Sequence, residues 1–194
     1  YVVNASSEQG LLAVNGMSYQ ARDGENANSA LIVTVTPEDF PEEGALGGIA
    51  FQRDLEKKAW ELGKGKVPVQ LFGDFCAHQP SSQLGEIHPN IKGGYVLTDV
   101  RSILPKELGD SIEEGIFAFG KKLSGFDRKD AVLSGIESRT SSPVRLVRDQ
   151  KGLSNITGIY PCGEGAGYAG GITSAAMDGI KTAEWIASEY MMKL

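Results

Sequence analysis

A glycine-dense loop followed by a long amphipathic helix constrains this chain more than any other feature. Five of the nine residues from 163 to 171 are glycine, and a β-branched run at 156–160 precedes them. Because glycine has no Cβ, such a loop lets a ligand approach the backbone closely. The apolar spacing predicts a helix that begins near Gly171, and a helix N-terminus presents unpaired N–H groups. The sequence therefore predicts a strand, loop and helix suited to a phosphate or an electron-rich heterocycle.

The same glycines match a nucleotide-binding spacing. Gly165, Gly167 and Gly170 fit G-x-G-x-x-G. A dinucleotide-binding fold also needs a strand after the helix, with an acidic residue about 20 residues past the motif. Here Glu184 and Glu189 fall inside the helical pattern. The context argues against a self-contained unit, and a stand-alone nucleotide-binding domain that uses these glycines stays an alternative.

Composition narrows the classes of partner. The net charge of −6 argues against nucleic acid, which favours a basic face. No apolar run approaches the ~18 residues of a membrane span, so we expect no membrane partner. Two cysteines, Cys76 and Cys162, indicate a reduced, cytoplasmic protein. With His78 and His88 they lack the spacing of a structural zinc site, and we expect no bound metal.

The hydrophobic pattern mixes strands and helices without a βαβ rhythm. Strands are predicted at 11–14, 31–36, 69–72, 131–138 and 144–148. Helices are predicted at 49–62, as a short turn at 99–104 capped by Thr98, and from Pro105 to Gly125. This pattern predicts an α+β fold, a mixed sheet with flanking helices.

Three blocks of the sequence, at 15–31, 135–145 and 160–180, resemble a bacterial family of FAD-dependent dehydrogenases. These are relatives of the wider NAD(P)/FAD-dependent oxidoreductases. The blocks lie in the family's order and span nearly the whole chain. The resemblance implies that the predicted C-terminal strand, loop and helix belong to a FAD-binding Rossmann-like fold.

Members of this family begin with a dinucleotide-binding unit that holds the FAD pyrophosphate and adenosine. No such unit precedes Tyr1, so we interpret the chain as a C-terminal fragment. The resemblance implies a substrate-type α+β domain over 1–152 and a FAD-contacting segment over 153–194. Its expected partners are the missing N-terminal FAD-binding domain of the same protein and a small-molecule substrate. FAD is then the cofactor of the full-length parent and is not necessarily bound by the fragment.

The resemblance also assigns cofactor contacts. Glu164 would accept a hydrogen bond from a ribityl hydroxyl, and its alternative role is a carboxylate near the helix dipole. The backbone of Gly170, Gly171 and Ile172 would lie beside the flavin pyrimidine edge, where the helix N-terminus stabilises negative charge on reduced flavin. Gly163 completes the predicted cofactor-binding set.

Two arginines flank a hydroxyl-rich link. Guanidinium groups beside hydroxyls can clamp a carboxylate or phosphate, which predicts substrate binding by Arg139, Ser141 and Arg145. The alternative is two strand arginines paired with Glu137 and Asp149. No pattern in the sequence identifies a catalytic side chain.

The resemblance implies the C-terminal portion of a FAD-dependent oxidoreductase, in which hydride transfer proceeds through the flavin on an unspecified substrate. One alternative is a non-catalytic binding module of a flavoprotein. The other is the stand-alone nucleotide-binding domain. We expect the fragment alone to be inactive.

Overall fold

The computed structural model describes residues 1–5 and 8–191 of the chain. Within these residues the regular structure comprises four α-helices and two three-stranded mixed sheets, which confirms the predicted α+β class. The strands are β1 (Val2–Asn4), β2 (Val14–Gly16), β3 (Val67–Leu71), β4 (Ile91–Lys92), β5 (Tyr95–Leu97) and β6 (Val132–Ser134). The helices are α1 (Gly47–Gly63), α2 (Phe72–Cys76), α3 (Lys106–Gly120) and α4 (Ile172–Met191), and 3₁₀ turns cover Pro37–Asp39 and Val100–Ile103. No described helix has both the length and the apolar character needed to cross a membrane.

The chain divides into two compact units. Unit 1 comprises Tyr1–Asp39 and Gln52–Ser138, and unit 2 comprises Phe40–Phe51 and Arg139–Leu194. All six described strands lie in unit 1, and α4 lies in unit 2. The predicted functional division between 1–152 and 153–194 stays a prediction, and its last three residues lie outside the described part.

In the first sheet, β1 is the central strand. It pairs antiparallel with β2 and parallel with β4. The predicted strand at 11–14 is shifted, because the Leu12 N–H donates to the carbonyl of Glu56, 3.0 Å away, before the pairing of β2 begins at Val14. Leu12, Ala13 and Val14 are buried and form part of the core of unit 1.

The second sheet is built around β3, which pairs parallel with β5 and antiparallel with β6. Val67, Val69 and Gln70 in this strand are buried. A strand with neighbours on both edges and cover on both faces is apolar along most of its length. This explains why apolar and polar residues alternate only weakly in β3.

A buried arginine ties the elements after β3 together. The Gln70 Oε1 accepts a hydrogen bond from the Arg101 backbone N–H at 2.9 Å. The Arg101 guanidinium donates to Glu113 at 2.6 Å, to Asp110 at 2.5 Å and to the carbonyl of Phe75 at 3.3 Å. It also lies 4.7 Å above the Phe75 ring. One side chain therefore links the 3₁₀ turn to both α2 and α3.

Helix prediction was more successful than strand prediction. The periodicity at 49–62 corresponds to α1, and the helix predicted after Pro105 is α3, which ends at Gly120 rather than Gly125. Asp99, not Thr98, caps the 3₁₀ turn, because its side chain accepts from the Ser102 N–H.

Three predicted strands are wrong: the described residues contain no strand at 31–36, 144–148 or 156–160. A strand needs a neighbour that satisfies its backbone N–H and C=O groups, and no described strand pairs with these segments. Ile32 is 68% exposed and Val147 77% exposed, so the apolar residues of the first two segments do not face a core.

Arg101→Ala should destabilise unit 1 by about 2–3 kcal/mol, because it removes the buried guanidinium's hydrogen bonds to two carboxylates and to the Phe75 carbonyl, while the partly exposed Asp110 and Glu113 regain water. Urea unfolding followed by Trp60 fluorescence in a Trp185→Phe background would measure it, since the chain contains only these two tryptophans. Lys106→Ala is the control. It removes an exposed cation from the same Asp110 and should cost far less, because solvent screens that pair. Equal losses for the two variants would contradict the prediction.

Candidate functional site

The glycine loop, residues 161–171, folds as a compact turn held by its own backbone. The Gly167 N–H donates to the carbonyl of Glu164 at 2.9 Å, and the Tyr168 N–H donates to the carbonyl of Gly163 at 3.1 Å. Gly163 and Gly167 adopt φ angles of 72° and 82°, which side chains disfavour. A Cβ on Gly167 would also lie 2.5 Å from the carbonyl oxygen of Val144. Both glycines therefore have local reasons to be glycine.

Gly165 and Gly170 have no such reason. Neither has a positive φ, and a Cβ at either position would meet no described atom within 4 Å. Both residues are exposed. The described fold has room for a side chain at each position. Glycine would be favoured there if a group from outside the described residues approached the backbone closely.

The segment 142–148 lines one side of the glycine loop. Instead of forming the predicted strand, it donates hydrogen bonds to three successive loop carbonyls. These bonds run from Ser142 Oγ to Gly165 O at 3.1 Å, from Leu146 N to Ala166 O at 3.1 Å, and from Arg145 Nε and Nη2 to Gly167 O at 3.0 and 2.8 Å. The carbonyl side of the loop is therefore occupied within unit 2.

An ion pair joins the loop to helix α4. Arg148 donates to both carboxylate oxygens of Asp178, at 2.6 and 2.9 Å, and to the carbonyl of Pro161 at 2.8 Å. The Gly163 N–H donates to the Oδ2 of Asp178 at 2.8 Å. The Arg148 guanidinium stacks 3.7 Å above the Tyr168 ring. Two backbone groups and one ring of the loop are thus attached to a single Arg–Asp pair.

Arg148 and Asp178 stabilise each other's charged forms. The side chains of Arg148 and Asp178 are only 10% and 12% exposed. Hydrogen bonds from Arg148, and then from the Gly163 N–H, lower the pKa of Asp178 to about 2. The hydrogen bonds that Arg148 donates to Asp178 raise the pKa of Arg148. Asp178 is therefore ionised at neutral pH, and its charge is compensated within the site.

The predicted cofactor residues lie in the glycine loop and at the start of α4, and the N–H of one of them, Gly163, already donates to Asp178. Glu164, Gly170 and Gly171 are exposed, and Ile172 begins the helix. The Gly171 N–H donates to Ser174 Oγ at 3.2 Å. The N–H groups from Ile172 to Ser174 lie in the first helical turn, where no intrahelical acceptor exists. The amides that remain for a ligand are therefore those at the start of the helix.

The predicted substrate residues are placed differently from one another. Arg145 contacts the loop through Gly167 and lies 5.0 Å from the Tyr168 ring. The Asp149 carboxylate instead accepts the backbone N–H groups of residues 151 and 153. Arg139 and Ser141 are exposed residues at the start of the segment that leads to Arg145. Their role in substrate binding stays a prediction.

Arg148, Tyr168 and Asp178 belong to the site, although no sequence motif pointed to them. A signal existed in α4, where Asp178, Thr182 and Trp185 recur at the i, i+4, i+7 spacing of one helix face. Thr182 is buried on this face, and Trp185 lies 5.2 Å from the Arg148 guanidinium. The face that packs within unit 2 is therefore the one that carries the carboxylate.

The opposite face of α4 is apolar and open to solvent. The apolar residues whose spacing predicts this helix form a stripe of Ile172, Ala176, Ile180, Ala183 and Ala187, and every member is exposed. Ile172 is 94% exposed and Ile180 63% exposed. Interaction sites commonly expose contiguous apolar surface of this kind.

Comparisons with known proteins agree with the resemblance in part. Residues 1–140 match the family described as FAD-dependent protein, C-terminal domain-like. A protein of Clostridium beijerinckii, described only as uncharacterized, is 53% identical over 192 residues. That alignment covers 97% of this chain and 36% of the relative, so the chain spans about a third of the length of the curated relative it matches. The glycine loop lies beyond the residues matched by the family.

Asp178→Asn should reduce the stability of unit 2 by on the order of 1–2 kcal/mol at neutral pH, after allowance for partial solvent screening. The folded-state pKa of Asp178 is depressed, so this stability is present above the unfolded-state pKa of about 4 and is lost as pH falls through about 2. Urea unfolding at several pH values, followed by Trp185 fluorescence in a Trp60→Phe background, would measure it. A difference between wild type and variant that stays constant down to about pH 2 would contradict this assignment.

Proposed function

Since the chain belongs to the FAD-dependent protein, C-terminal domain-like family, we propose that it is the C-terminal portion of a FAD-dependent oxidoreductase. In this proposal the glycine loop and the start of α4 form one side of the flavin site. An N-terminal FAD-binding domain of the same polypeptide forms the other side. The small share of the Clostridium relative that this chain covers supports a longer parent protein.

The observation that carries the proposal is the pair of glycines with open space at their Cβ positions. Gly165 and Gly170 present bare backbone to the exposed side of the loop. A flat, electron-rich ring system could approach that backbone, whereas a side chain at either glycine would occupy the space. The residues present fit a flavin on this side.

Named groups would contribute to binding. The exposed carboxylate of Glu164 would accept a hydrogen bond from a ribityl hydroxyl. The N–H groups at the start of α4, from Ile172 to Ser174, would donate toward the pyrimidine edge. The positive end of the helix dipole would favour negative charge there. FAD, when bound, supplies the capacity for hydride transfer, and these residues supply binding, orientation and electrostatics.

The exposed stripe of α4 supports the proposed neighbouring domain. A helix in a globular protein normally turns its apolar stripe toward a core. Here Ile172, Ile180 and the stripe alanines at 176, 183 and 187 are exposed, while the face with Asp178 packs within unit 2. We assign this stripe to contact with the N-terminal FAD-binding domain.

The arginines near the loop support a proposal for the substrate class. Arg145 uses Nε and Nη2 on the carbonyl of Gly167, and a guanidinium has five N–H donors in all. The remaining donors point to an anionic substrate, a carboxylate or a phosphate. Arg139 and Ser141 are the further candidates for this binding.

Gly170→Val should weaken FAD binding to the full-length protein about tenfold or more, equivalent to ~1.4 kcal/mol, because the new side chain would fill the ligand's space. The stability of the ligand-free protein should change little, since no described atom lies near the new Cβ. Isothermal titration calorimetry with FAD and urea unfolding would measure the two quantities.

Gly24→Val is the matched control for this variant. Gly24 is also an exposed loop glycine without a positive φ, and its nearest described atoms lie at an ordinary 3.9 Å. This variant should bind FAD like wild type. Failure of the wild-type full-length protein to bind FAD would end the flavoprotein proposal. Wild-type affinity in Gly170→Val would remove the loop from the site.

Ile180→Glu should leave the stability of the 194-residue chain within about 0.5 kcal/mol of wild type, because Ile180 is already exposed. In the full-length protein the same charge would be buried against the N-terminal domain, so stability and FAD affinity should both fall. Thermal unfolding of both proteins would compare the effects. Ser188→Glu, an exposed position off the stripe of the same helix, is the control. Equal behaviour of Ile180→Glu in both proteins would contradict a covered stripe.

A further inference from the structure

We propose that Arg148 and Asp178 are positioning residues, a clasp that holds the glycine loop in the shape in which it receives the flavin. This inference rests on the proposed function and adds to it two residues that touch the loop rather than the cofactor.

The clasp joins three parts of unit 2. Arg148 belongs to the segment that lines the loop, and Asp178 lies in the second turn of α4. Between them they bind the carbonyl of Pro161 and the N–H of Gly163, the backbone groups at the loop's entry. The Asp178 Oδ2 accepts from both Arg148 and Gly163, so the carboxylate position sets the position of the loop backbone.

The clasp also reaches the far end of the turn. The Arg148 guanidinium stacks on the ring of Tyr168 at 3.7 Å, and the Arg148 backbone N–H donates to the Tyr168 hydroxyl at 3.1 Å. The loop is therefore held at 161–163 and again at 168. Glu164 and Gly165, the residues that would face the ribityl chain and the ring, lie between these two anchors.

A purely stabilising role does not account for this arrangement. Replacing a buried ion pair with well-packed apolar side chains is often neutral or stabilising. An apolar pair, however, could not satisfy the Pro161 carbonyl and the Gly163 N–H, which need hydrogen-bond partners when shielded from water. The specific contribution of the pair is therefore the loop conformation.

A loop that is ordered before the ligand arrives binds more tightly, because binding does not have to order it. Glycine makes that ordering costly, since it has the greatest backbone freedom to lose. The loop itself has few side chains that could restrain its backbone. Arg148 and Asp178, which lie outside the loop, supply that restraint. Its loss should appear in loop motion first and in FAD affinity second.

The first test measures the loop without any cofactor. Amide hydrogen exchange of the 194-residue chain, read by NMR at Gly163 and Tyr168, reports local opening of the loop. Asp178→Ala should raise these exchange rates about tenfold, because Arg148 loses its counter-ion and the Gly163 N–H loses its acceptor. Thr182→Val is the control. It alters a buried neighbour on the same face of α4 whose hydroxyl bonds the Asp178 carbonyl and not the loop.

The second test measures FAD affinity in the full-length protein. Asp178→Ala should weaken FAD about tenfold, while Thr182→Val should not, even if both lower the midpoint of unfolding. Arg148→Lys should restore part of the affinity lost in Arg148→Ala, because lysine keeps the charge but not the two-pronged geometry. A merely structural role would instead make affinity follow global stability in all four variants.

The outcomes separate the clasp from the proposed function. Unchanged exchange at Gly163 and Tyr168 in Asp178→Ala would overturn the clasp whatever FAD does. Faster exchange with unchanged FAD affinity would overturn its role in flavin binding. If the wild-type full-length protein binds no FAD, the proposed function fails and the flavin role of the clasp fails with it, while the exchange result still decides whether the pair holds the loop.

Discussion

The ion pair between Arg148 and Asp178 is the interaction on which the candidate site depends. A loop with five glycines in nine residues has few side chains that could hold it, and its backbone polar groups still need partners. The pair supplies two of those partners, and the neighbouring segment 142–148 supplies three more. The loop is therefore shaped by contacts from other parts of unit 2, which leaves its glycine face open.

The two units use arginine in the same way. Arg101 in unit 1 and Arg148 in unit 2 each bind carboxylate oxygens, donate to one backbone carbonyl and stack on an aromatic ring. The planar guanidinium can do all three at once, whereas lysine carries a point charge. The strands of unit 1 are short, and none is described in unit 2. In units with so little β-structure, side-chain hydrogen bonds make contacts that backbone hydrogen bonds would make in longer sheets.

Features set by residues close together in the chain could be predicted from the sequence. Features set by contacts between distant residues could not. The helices α1, α3 and α4 follow from periodicity, and the glycine loop is contiguous, so its residues needed no fold to bring them together. The failed strands at 31–36, 144–148 and 156–160 depended on partners that propensity cannot reveal. Arg148 and Asp178 lie 30 residues apart, and nothing local joins them. The residue spacing predicted the apolar stripe of α4, but it did not predict that the opposite face packs within unit 2.

That stripe also affects how the polypeptide behaves as it is made. Isoleucine and alanine side chains that are open to water can be covered when two copies collide, so self-association should increase with concentration. During synthesis the order of the parts then becomes important. An element synthesised before α4 can cover the stripe as the helix leaves the ribosome. If the covering element is synthesised after α4, the stripe stays exposed to chaperones and to other nascent chains until that element has folded.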